Sequence, residues 1–333
     1  MPSMNCNATI PRREFSSRLV LGAAALVMPT AYAVAASYPS RLIRCIVPFA
    51  TGGGTDVIGR PLIQAMAEDL GQAMILDNKP GAGTVIGSDM VAKAVPDGHT
   101  LLINTSALAI NASLVSKLPY DTLVDLSPVG RICHGPNVIA VRADSPIKSV
   151  ADLLRLAAEK PGKLSYASSG NGSAVHLAAE LFKLMAKVQI QHIPYRGAGP
   201  AYTDLLGGQV DMLFGTAGGT HKFVKSGQMR AIAVTSASRV DAYPGIPCVA
   251  ETLPGYAAEV WYGMFVPKAT PSAIVERLSA ALRKAADLPA YKAALQKDGL
   301  TSSVNSPAEM AAFMATEVAR WRKVVVEAKV TTD

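Results

Sequence analysis

The chain contains few cysteines, aromatic residues and charged residues for its length of 333 residues. Cys6 lies in the N-terminal segment, and the remaining Cys45, Cys133 and Cys248 are odd in number and form no C-x-x-C pair. We therefore expect neither a disulfide framework nor a zinc site. Aromatic residues make up only 6%, which argues against a protein that stacks nucleic-acid bases. The charged fraction is 17% and the hydrophobic fraction 50%, which excludes a disordered chain.

The net charge of +7 is not concentrated in a basic patch. Residues 1–36 contribute +2 of it, and the rest of the chain has 29 basic and 24 acidic side chains with no lysine- or arginine-rich run. We therefore expect no nucleic-acid partner. A mildly positive surface favours anionic ligands at long range but does not indicate where they bind.

Residues 1–36 have the pattern of a signal peptide. Three arginines between residues 12 and 18 precede the apolar stretch Leu19–Met28, and an A-x-A cleavage site follows at Ala31–Ala33. The apolar stretch is shorter than a membrane-spanning helix requires. We therefore predict export and a soluble, periplasmic mature chain. The arginine pair resembles a twin-arginine signal, but Pro11 departs from that motif, so an ordinary secretory signal remains an alternative.

From residue 41 onward, short apolar runs alternate with glycine-rich loops and with segments of helical spacing. This alternation is typical of an α/β protein with a mainly parallel sheet and helices on both faces. Ser149 and Asp152 have the spacing of a capping box at the start of one helix. Strands are expected at 42–49, 73–76, 100–104, 138–141, 164–167, 190–193, 209–214 and 229–235, and residues 271–327 are expected to be mostly helical.

Three glycine-rich loops lie between a predicted strand and a predicted helix, at 51–56, 81–84 and 168–173. In an open α/β sheet such loops lie at the carboxyl ends of strands, where ligands bind. Glycine lets the backbone approach a ligand closely, and a helix N-terminus offers free N–H groups and a partial positive charge. Three such loops around one cleft would bind a carboxylate or a phosphate without any lysine. For each loop taken alone, an ordinary tight turn is the alternative.

The sequence lacks the motifs of several common enzyme classes. It has no G-x-x-x-x-G-K-[ST] loop, no complete G-x-G-x-x-G fingerprint, no G-x-S-x-G nucleophile elbow and no H-E-x-x-H motif. Ser173 and His176 are three residues apart, a spacing that favours helix capping over a nucleophile–base pair. We predict that the protein is not an enzyme and has no cofactor or metal. An exported hydrolase that uses Ser173 and His176 is the alternative.

Four further positions have both a functional and a structural interpretation. Arg196 could clamp a carboxylate, although a loop arginine is more often solvated. Asp56 is expected to cap its helix, because a free carboxylate beside an anion site would repel the ligand. Cys45 is expected to be a small buried hydrophobic residue. Residues 261–263 are expected to place an aromatic side chain at a hinge, at a cleft or in the core.

The order of motifs resembles that of Bug-type receptors, the extracytoplasmic solute-binding proteins of tripartite tricarboxylate transporters. The resemblance implies a monomeric receptor that captures a small carboxylate, or a related small acid, and delivers it to membrane subunits. A protein that presents its ligand to a sensor kinase is an alternative. The matching segments cover essentially the whole mature chain: Pro48–Asp56 with Arg60, Asn78–Gly83, Pro96–Leu101, Ser168–His176, Pro194–Gly197, Asp204–Asp211 and Trp261–Gly263.

The resemblance also implies an α/β, two-domain periplasmic-binding-protein fold (type II-like) with two crossover strands and a ligand cleft between the domains. Domain 1 would comprise residues 37–138 plus 264–333, and domain 2 residues 139–263. The implied ligand-binding residues on one wall are Phe49, Ala50, Thr51, Gly52, Gly53, Thr55, Asp56, Gly83, Thr84 and Ser106. Those on the other wall are Ser168, Ser169, Ser173, Arg196, Gly197, Ala198 and Thr216.

Two departures from the family pattern bear on the ligand. Thr84 replaces a usual glycine, which would bring an extra hydroxyl into the cleft. Gly215 and Thr216 replace a usual aspartate and asparagine, which would widen the pocket or remove a polar contact. We therefore expect a bulkier or differently substituted ligand than a small amino acid. A Gly53→Val substitution is expected to abolish binding by steric block and by loss of backbone freedom.

Overall fold

The computed structural model describes residues 38–327 and 330–331. The predicted signal peptide therefore lies outside the described residues. None of the helices within residues 38–327 is both long and apolar enough to span a membrane.

Strands and helices alternate along most of the described chain. The strands are β1 (Ile43–Val47), β2 (Met74–Asn78), β3 (Thr100–Thr105), β4 (Leu126–Arg142), β5 (Ser165–Ser168), β6 (Gln191–Pro194), β7 (Met212–Thr216), β8 (Met229–Val234), β9 (Glu259–Pro267) and β10 (Thr301–Ser302). The helices are α1 (Gly54–Leu70), α2 (Val85–Ala92), α3 (Ala107–Leu114), α4 (Val150–Glu159), α5 (Ala174–Ala186), α6 (Ala198–Leu206), α7 (Ala217–Lys225), α8 (Ser272–Ala286), α9 (Pro289–Lys297) and α10 (Pro307–Glu327).

Two groups of parallel strands are joined by the long strands β4 and β9. One group contains β1, β2 and β3, and the other contains β5, β6 and β7. Strand β4 pairs with β9 along its first part and with β7 and β8 along its last part, always antiparallel. The prediction of a mainly parallel sheet is therefore wrong for the centre of the sheet. Neighbouring parallel strands are joined by a crossover that is usually helical. Strands β4 and β9 instead run directly from one group of strands to the other, in opposite directions, and pair antiparallel.

The buried hydrophobic residues form clusters on both sides of the crossover strands. One pair of clusters surrounds β1 and β3 and contains Leu62 and Trp321. A second pair surrounds β5 and β7 and contains Phe182 and Tyr202. The first pair of clusters also includes Ala174 and Leu177 of α5, so the clusters cross the expected boundary. The division into residues 37–138 plus 264–333 and residues 139–263 stays a prediction.

The largest difference between predicted and observed elements is strand β4. The sequence predicts this strand only at 138–141, because the prolines and glycines in its first half usually interrupt strands. In the structure the strand begins at Leu126. Irregular register between Pro128 and Gly130 accommodates these residues. Elsewhere, Ser149 caps α4 as expected, its hydroxyl accepting a hydrogen bond from the Asp152 backbone N–H at 3.1 Å. Cys45 is fully buried, as expected, and its thiol is free.

Candidate functional site

Four helix N-termini converge on one narrow cavity of about 40 Å³, which we call the inner cavity. Gly53, Ser173, Gly197 and Thr216 are the N-cap residues of α1, α5, α6 and α7, and each helix contributes residues from its first turn or cap to the lining. Each of these helices follows the carboxyl end of a strand. Since a helix N-terminus has unpaired N–H groups and a partial positive charge, the inner cavity favours an anion or an acceptor oxygen.

The lining of the inner cavity includes one charged side chain, Asp56, and no lysine, arginine or histidine among the described residues. The Asp56 carboxylate accepts hydrogen bonds from the Gly52 backbone N–H and, at 3.1 Å, from the Asn78 amide. The Arg60 guanidinium lies 3.7 Å from the same carboxylate. Asp56 therefore stabilises the loop before α1, but the expectation that it caps the helix is wrong: the N-cap is Gly53, and Asp56 lies in the first turn, from which its carboxylate reaches back to Gly52.

Most of the remaining lining is apolar. The side chains come from both groups of strands and their helices, and together they surround a space suited to a short hydrocarbon body. They are Phe49, Ala50, Ala174, Val175, Ala198, Ala201, Leu213, Phe214 and Val260. An apolar lining with helix N-termini at its edge fits a ligand that has a carbon chain or ring and a carboxylate.

Three hydroxyl groups lie beneath the N-terminus of α1, and we call Tyr202, Thr216 and Tyr262 the hydroxyl floor. The Tyr262 side chain is completely buried and lines neither cavity. Its hydroxyl makes no well-formed hydrogen bond among the described residues, although it and the Tyr202 hydroxyl lie close enough to Thr216 to interact with it. A Cβ atom added to Gly54 would lie 2.7 Å from the Tyr262 hydroxyl and would also contact Thr216 Oγ1. The floor therefore approaches the first residue of α1 at a position that only glycine leaves open.

The two tyrosines of the hydroxyl floor are protonated at neutral pH. Burial raises the pKa of Tyr202 to about 12. Burial raises the pKa of Tyr262 even further above its ordinary value. Both hydroxyls are therefore available as hydrogen-bond donors, although the Tyr202 hydroxyl already lies 3.5 Å from Thr220 Oγ1.

A second, larger cavity of about 580 Å³ adjoins the first, and we call it the outer cavity. The two cavities share Phe49, Ser169 and Ser173 in their linings. The outer cavity is lined by the loop at 81–84 and by Arg196, whose side chain is exposed. Basic side chains thus line the outer cavity, whereas the hydrogen-bond donors of the inner cavity are neutral backbone N–H and hydroxyl groups.

The two walls of the cleft touch each other at glycines. A Cβ atom on Gly197 would lie 2.8 Å from the Cβ atom of Ala50, and one on Gly83 would collide with the Asn171 carbonyl oxygen. Both glycines have positive φ, +126° and +60°, which other residues rarely adopt. The cleft is therefore closed in this structure. A side chain at Gly83 or Gly197 would hold its two walls apart.

Two stacked histidines lie behind the loop at 168–173. The His176 and His192 rings are 4.1 Å apart, His176 Nδ1 accepts a hydrogen bond from the Gly172 backbone N–H at 3.1 Å, and His192 Nε2 lies 2.6 Å from Ser168 Oγ. Burial lowers the pKa of His176 to about 4 and that of His192 to about 3, so both rings are neutral at pH 7. A neutral ring is what allows His176 Nδ1 to accept a hydrogen bond.

Ser173 does not form the serine–histidine pair that the hydrolase alternative requires. Its hydroxyl donates to the Gly170 carbonyl oxygen at 2.7 Å and accepts from the His176 backbone N–H at 3.3 Å. Ser173 is therefore the N-cap of α5, and His176 uses its side chain to hold Gly172.

Most of the residues predicted for the site lie in the two cavities. The outer cavity includes Gly83, Thr84, Arg196 and Gly197. The inner cavity includes Phe49, Ala50, Gly53, Thr55, Asp56, Ser168, Ser169, Ser173, Ala198 and Thr216. Neither cavity is lined by Thr51, Gly52 or Ser106. Thr51 and Gly52 are exposed, and Ser106 is completely buried behind Thr105.

Three further sequence-based expectations about individual residues need correction. Gly53 has φ −87°, an ordinary value, so a Gly53→Val substitution would act through contact with Ala198, 3.5 Å from the added Cβ, and not through lost backbone freedom. The Thr84 hydroxyl does not project into the cleft as a free group, because it accepts a hydrogen bond from the Asn111 amide at 3.1 Å. The pocket is not widened at Gly215, because Thr220 Oγ1 occupies the place where a side chain would begin.

The sequence reasoning missed Gly54 and Tyr202 and left Tyr262 undecided between cleft and core. Gly54 adjoins two other glycines in Gly52–Gly54, so its particular role was not distinguishable from theirs. Tyr202 is one apolar position of a helix in the sequence, and its hydroxyl approaches Gly219 only in the folded chain. The alternation of side chains along β9, which places Tyr262 and Trp261 on opposite faces, is the signal that could have separated these two aromatics.

Comparison with known proteins places the chain in a family. The profile described as the tripartite tricarboxylate transporter family receptor matches residues 58–330. The chain is similar to the UPF0065 protein in the tcbD-tcbE intergenic region of Pseudomonas sp. (strain P51), with 39% identity over 95% of this chain and 96% of that protein. It is also similar to protein BugT of Bordetella pertussis, with 36% identity over 87% of this chain and 90% of that protein.

Solved structures show the same fold. The structure of R. palustris Rpa4515 with adipate is similar, with a TM-score of 0.85, 33% identity, and coverage of 88% of this chain and 99% of that one. MatC (Rpa3494) from Rhodopseudomonas palustris with bound malate has a TM-score of 0.83, 30% identity, and coverage of 86% and 100%. The fold is therefore that of a periplasmic binding protein, as the motifs implied. With its site at four converging helix N-termini, the chain belongs to the receptor family of tripartite tricarboxylate transporters.

Proposed function

We propose that this protein is a periplasmic receptor that captures a small carboxylic acid in the cleft formed by the inner and outer cavities and delivers it to the membrane subunits of a tripartite transporter. The observation that carries the proposal is the convergence of the N-termini of α1, α5, α6 and α7 on one largely apolar cavity. Adipate and malate in the similar structures of Rpa4515 and MatC support a carboxylate as the ligand.

The ligand would bind by closure of the two walls. Residues 37–138 plus 264–333 would form one domain and residues 139–263 the other, and a ligand that contacts both walls would favour the closed arrangement. Gly83 and Gly197 would be required for closure, since larger residues there would meet the opposite wall. We propose that the receptor acts as a monomer, that the predicted residues lining the inner and outer cavities bind the ligand, and that the protein catalyses no reaction.

The test is thermal unfolding of the purified protein across a panel of small acids. The panel would contain dicarboxylates and tricarboxylates, aromatic acids, amino acids, phosphate and sulfate. A ligand at 100 times its Kd stabilises the folded state by about 2.7 kcal/mol, which raises the Tm by a few degrees. We expect a shift with at least one carboxylic acid. A shift only with phosphate or sulfate, or with no compound after refolding from denaturant to remove co-purified ligand, would contradict the proposal.

Delivery to a transporter is tested separately from ligand binding. The closed, ligand-bound receptor should be retained by the membrane subunits of a tripartite transporter and not by the ligand-binding domain of a sensor kinase. Gly83→Ala, which cannot close, is the matched control and should lose retention. Retention by the sensor alone would favour the ligand-presenting alternative.

A further inference from the structure

The loop at 168–173 lines both cavities and also touches the opposite wall of the cleft. Its three serines line the inner cavity, and residues 169–171 line the outer cavity. A Cβ atom added to Gly172 would lie 2.2 Å from Oδ1 of Asn111, which belongs to α3 on the opposite wall. The position of this loop therefore affects both the space for a ligand and the contact that accompanies closure.

Two buried histidines hold this loop from behind. The Gly172 backbone N–H donates to His176 Nδ1 at 3.1 Å, and Ser168 Oγ lies 2.6 Å from His192 Nε2. The His176 residue is only 3% exposed. A backbone N–H can only donate, so it needs an Nδ1 that carries no proton. The observed position of Gly172 therefore requires a neutral His176 ring.

The groups around the two rings oppose a positive charge there. The His192 ring stacks on that of His176, and the positive charge of Lys183 disfavours protonation of both rings. The Glu180 carboxylate lies 3.9 Å from His176 Nε2, but the same oxygen accepts hydrogen bonds from the Tyr166 hydroxyl at 2.6 Å and from Lys183 at 2.7 Å. A proton on Nδ1 would thus add a charge to a buried stack and set two donors against each other.

We propose that His176 is a positioning residue of the receptor: its neutral Nδ1 fixes the loop at 168–173 for ligand binding, and proton uptake by the ring releases the loop and weakens binding. This inference rests on the proposed function and adds a pH dependence to it. A proton from solvent would bind Nδ1, and the Gly172 N–H would lose its acceptor. The loop would then leave the position in which it lines both cavities and meets Asn111.

Two variants of His176 separate its hydrogen bond from its packing. In His176→Asn, Oδ1 is as many bonds from Cβ as Nδ1 is in histidine, so it can accept from Gly172 without titrating. His176→Leu fills the space and removes the acceptor. The Kd is measured by isothermal titration calorimetry for adipate, for malate and for every other acid of the panel that raises the Tm. At pH 7 we expect His176→Leu to bind at least tenfold more weakly than the wild type and His176→Asn to stay within about threefold of it.

The pH profile supplies a readout that a packing role would not change. Between pH 7 and pH 4.5 the wild type should lose at least about threefold more affinity than His176→Asn, since the titration of the acid itself is the same for both proteins. The matched control is His99→Leu, because His99 is a buried histidine that accepts from the Ser40 N–H at 3.3 Å and lines neither cavity. It should lower the Tm and leave the Kd and its pH profile unchanged. Parallel pH profiles of the wild type and His176→Asn, or full affinity in His176→Leu, would overturn the inference.

Hydrogen exchange of the Gly172 amide, followed by NMR without any ligand, tests the loop directly. The amide should be protected at pH 7 in the wild type and in His176→Asn, and unprotected in His176→Leu. At pH 4.5 the wild type should lose more of this protection than His176→Asn. An unprotected amide in the wild type at pH 7 would overturn the inference and leave carboxylate capture intact. Binding of no acid in the panel would overturn the proposed function and, with it, this inference.

Discussion

Trp261 and Tyr262 are neighbours on β9, and their side chains enter different buried clusters with opposite hydrogen-bonding states. The Trp261 indole N–H donates to the Glu317 carboxylate at 2.7 Å, and Trp321 donates to the same oxygen at 3.0 Å. The Tyr262 hydroxyl has no partner among the described residues. A satisfied buried network stabilises a fold, whereas an unsatisfied buried group costs free energy. The two faces of one strand therefore differ in how far their buried polar groups are satisfied.

The largest expected effect is on the face that contains Trp261. Glu317→Leu leaves two buried indole N–H groups without an acceptor and should lower the free energy of unfolding by about 4 kcal/mol. Glu317→Gln keeps an acceptor oxygen and should cost less. Denaturant unfolding measures both, and Glu159→Gln, which removes an exposed partner of Arg155, is the surface control. The comparison between the two faces fails if Glu317→Leu is as stable as the wild type.

A fall in pH should destabilise the protein through the histidine pair. His176 has its pKa lowered by burial to about 4, below the ordinary 6.5, so the unfolded state binds a proton that the folded state does not. The contribution of His176 to the free energy of unfolding should therefore be largest above pH 6.5 and fall by up to about 3 kcal/mol towards pH 4, and His192, whose pKa is lowered to about 3, should add to this fall. His192 stacks on the His176 ring, and the Glu180 carboxylate lies 3.9 Å from His176 Nε2. Glu180 in turn accepts hydrogen bonds from Tyr166 and Lys183.

His176→Gln provides the control for this pH dependence. It removes one titrating ring, so its stability should fall less steeply between pH 6.5 and pH 4 than that of the wild type. Denaturant unfolding at a series of pH values gives both slopes. Equal slopes in the two proteins would show that His176 is not the responsible group.

Filling the space above the hydroxyl floor should affect recognition. Gly54→Ala places a Cβ atom against the Tyr262 and Thr216 hydroxyls, so the acid's Kd should rise at least 100-fold, about 2.7 kcal/mol. Gly207→Ala is the matched control, because its added Cβ makes only ordinary contacts at 3.4 and 3.7 Å at the exposed end of α6. Wild-type affinity in Gly54→Ala would show that ligands bind elsewhere in the cleft.

The order of motifs was sufficient to predict a periplasmic-binding-protein fold, whereas the alternation of apolar runs and loops alone predicted a mainly parallel sheet and missed its antiparallel centre. Glycine-rich loops after apolar runs predicted the starts of α1 and α5, because strand, loop and helix N-terminus are all local in sequence. The hydroxyl floor could not be predicted, because Tyr202, Thr216 and Tyr262 come from α6, β7 and β9 and meet only when β9 crosses the sheet. The prediction that the Thr84 hydroxyl enters the cleft was wrong for the same reason, because that hydroxyl accepts a hydrogen bond from Asn111, 27 residues away in the sequence.

The most direct test of the difference between the two faces of β9 is thermal unfolding of Tyr262→Phe and Tyr256→Phe. Tyr262→Phe should match the wild type, because its hydroxyl makes no well-formed hydrogen bond among the described residues. Tyr256→Phe should unfold at a lower temperature, having lost about 1 kcal/mol with the hydrogen bond that its hydroxyl donates to the Ala178 carbonyl oxygen at 2.8 Å. An equal fall in Tm in the two variants would contradict this difference and make the Tyr262 hydroxyl a satisfied structural group like the Trp261 indole.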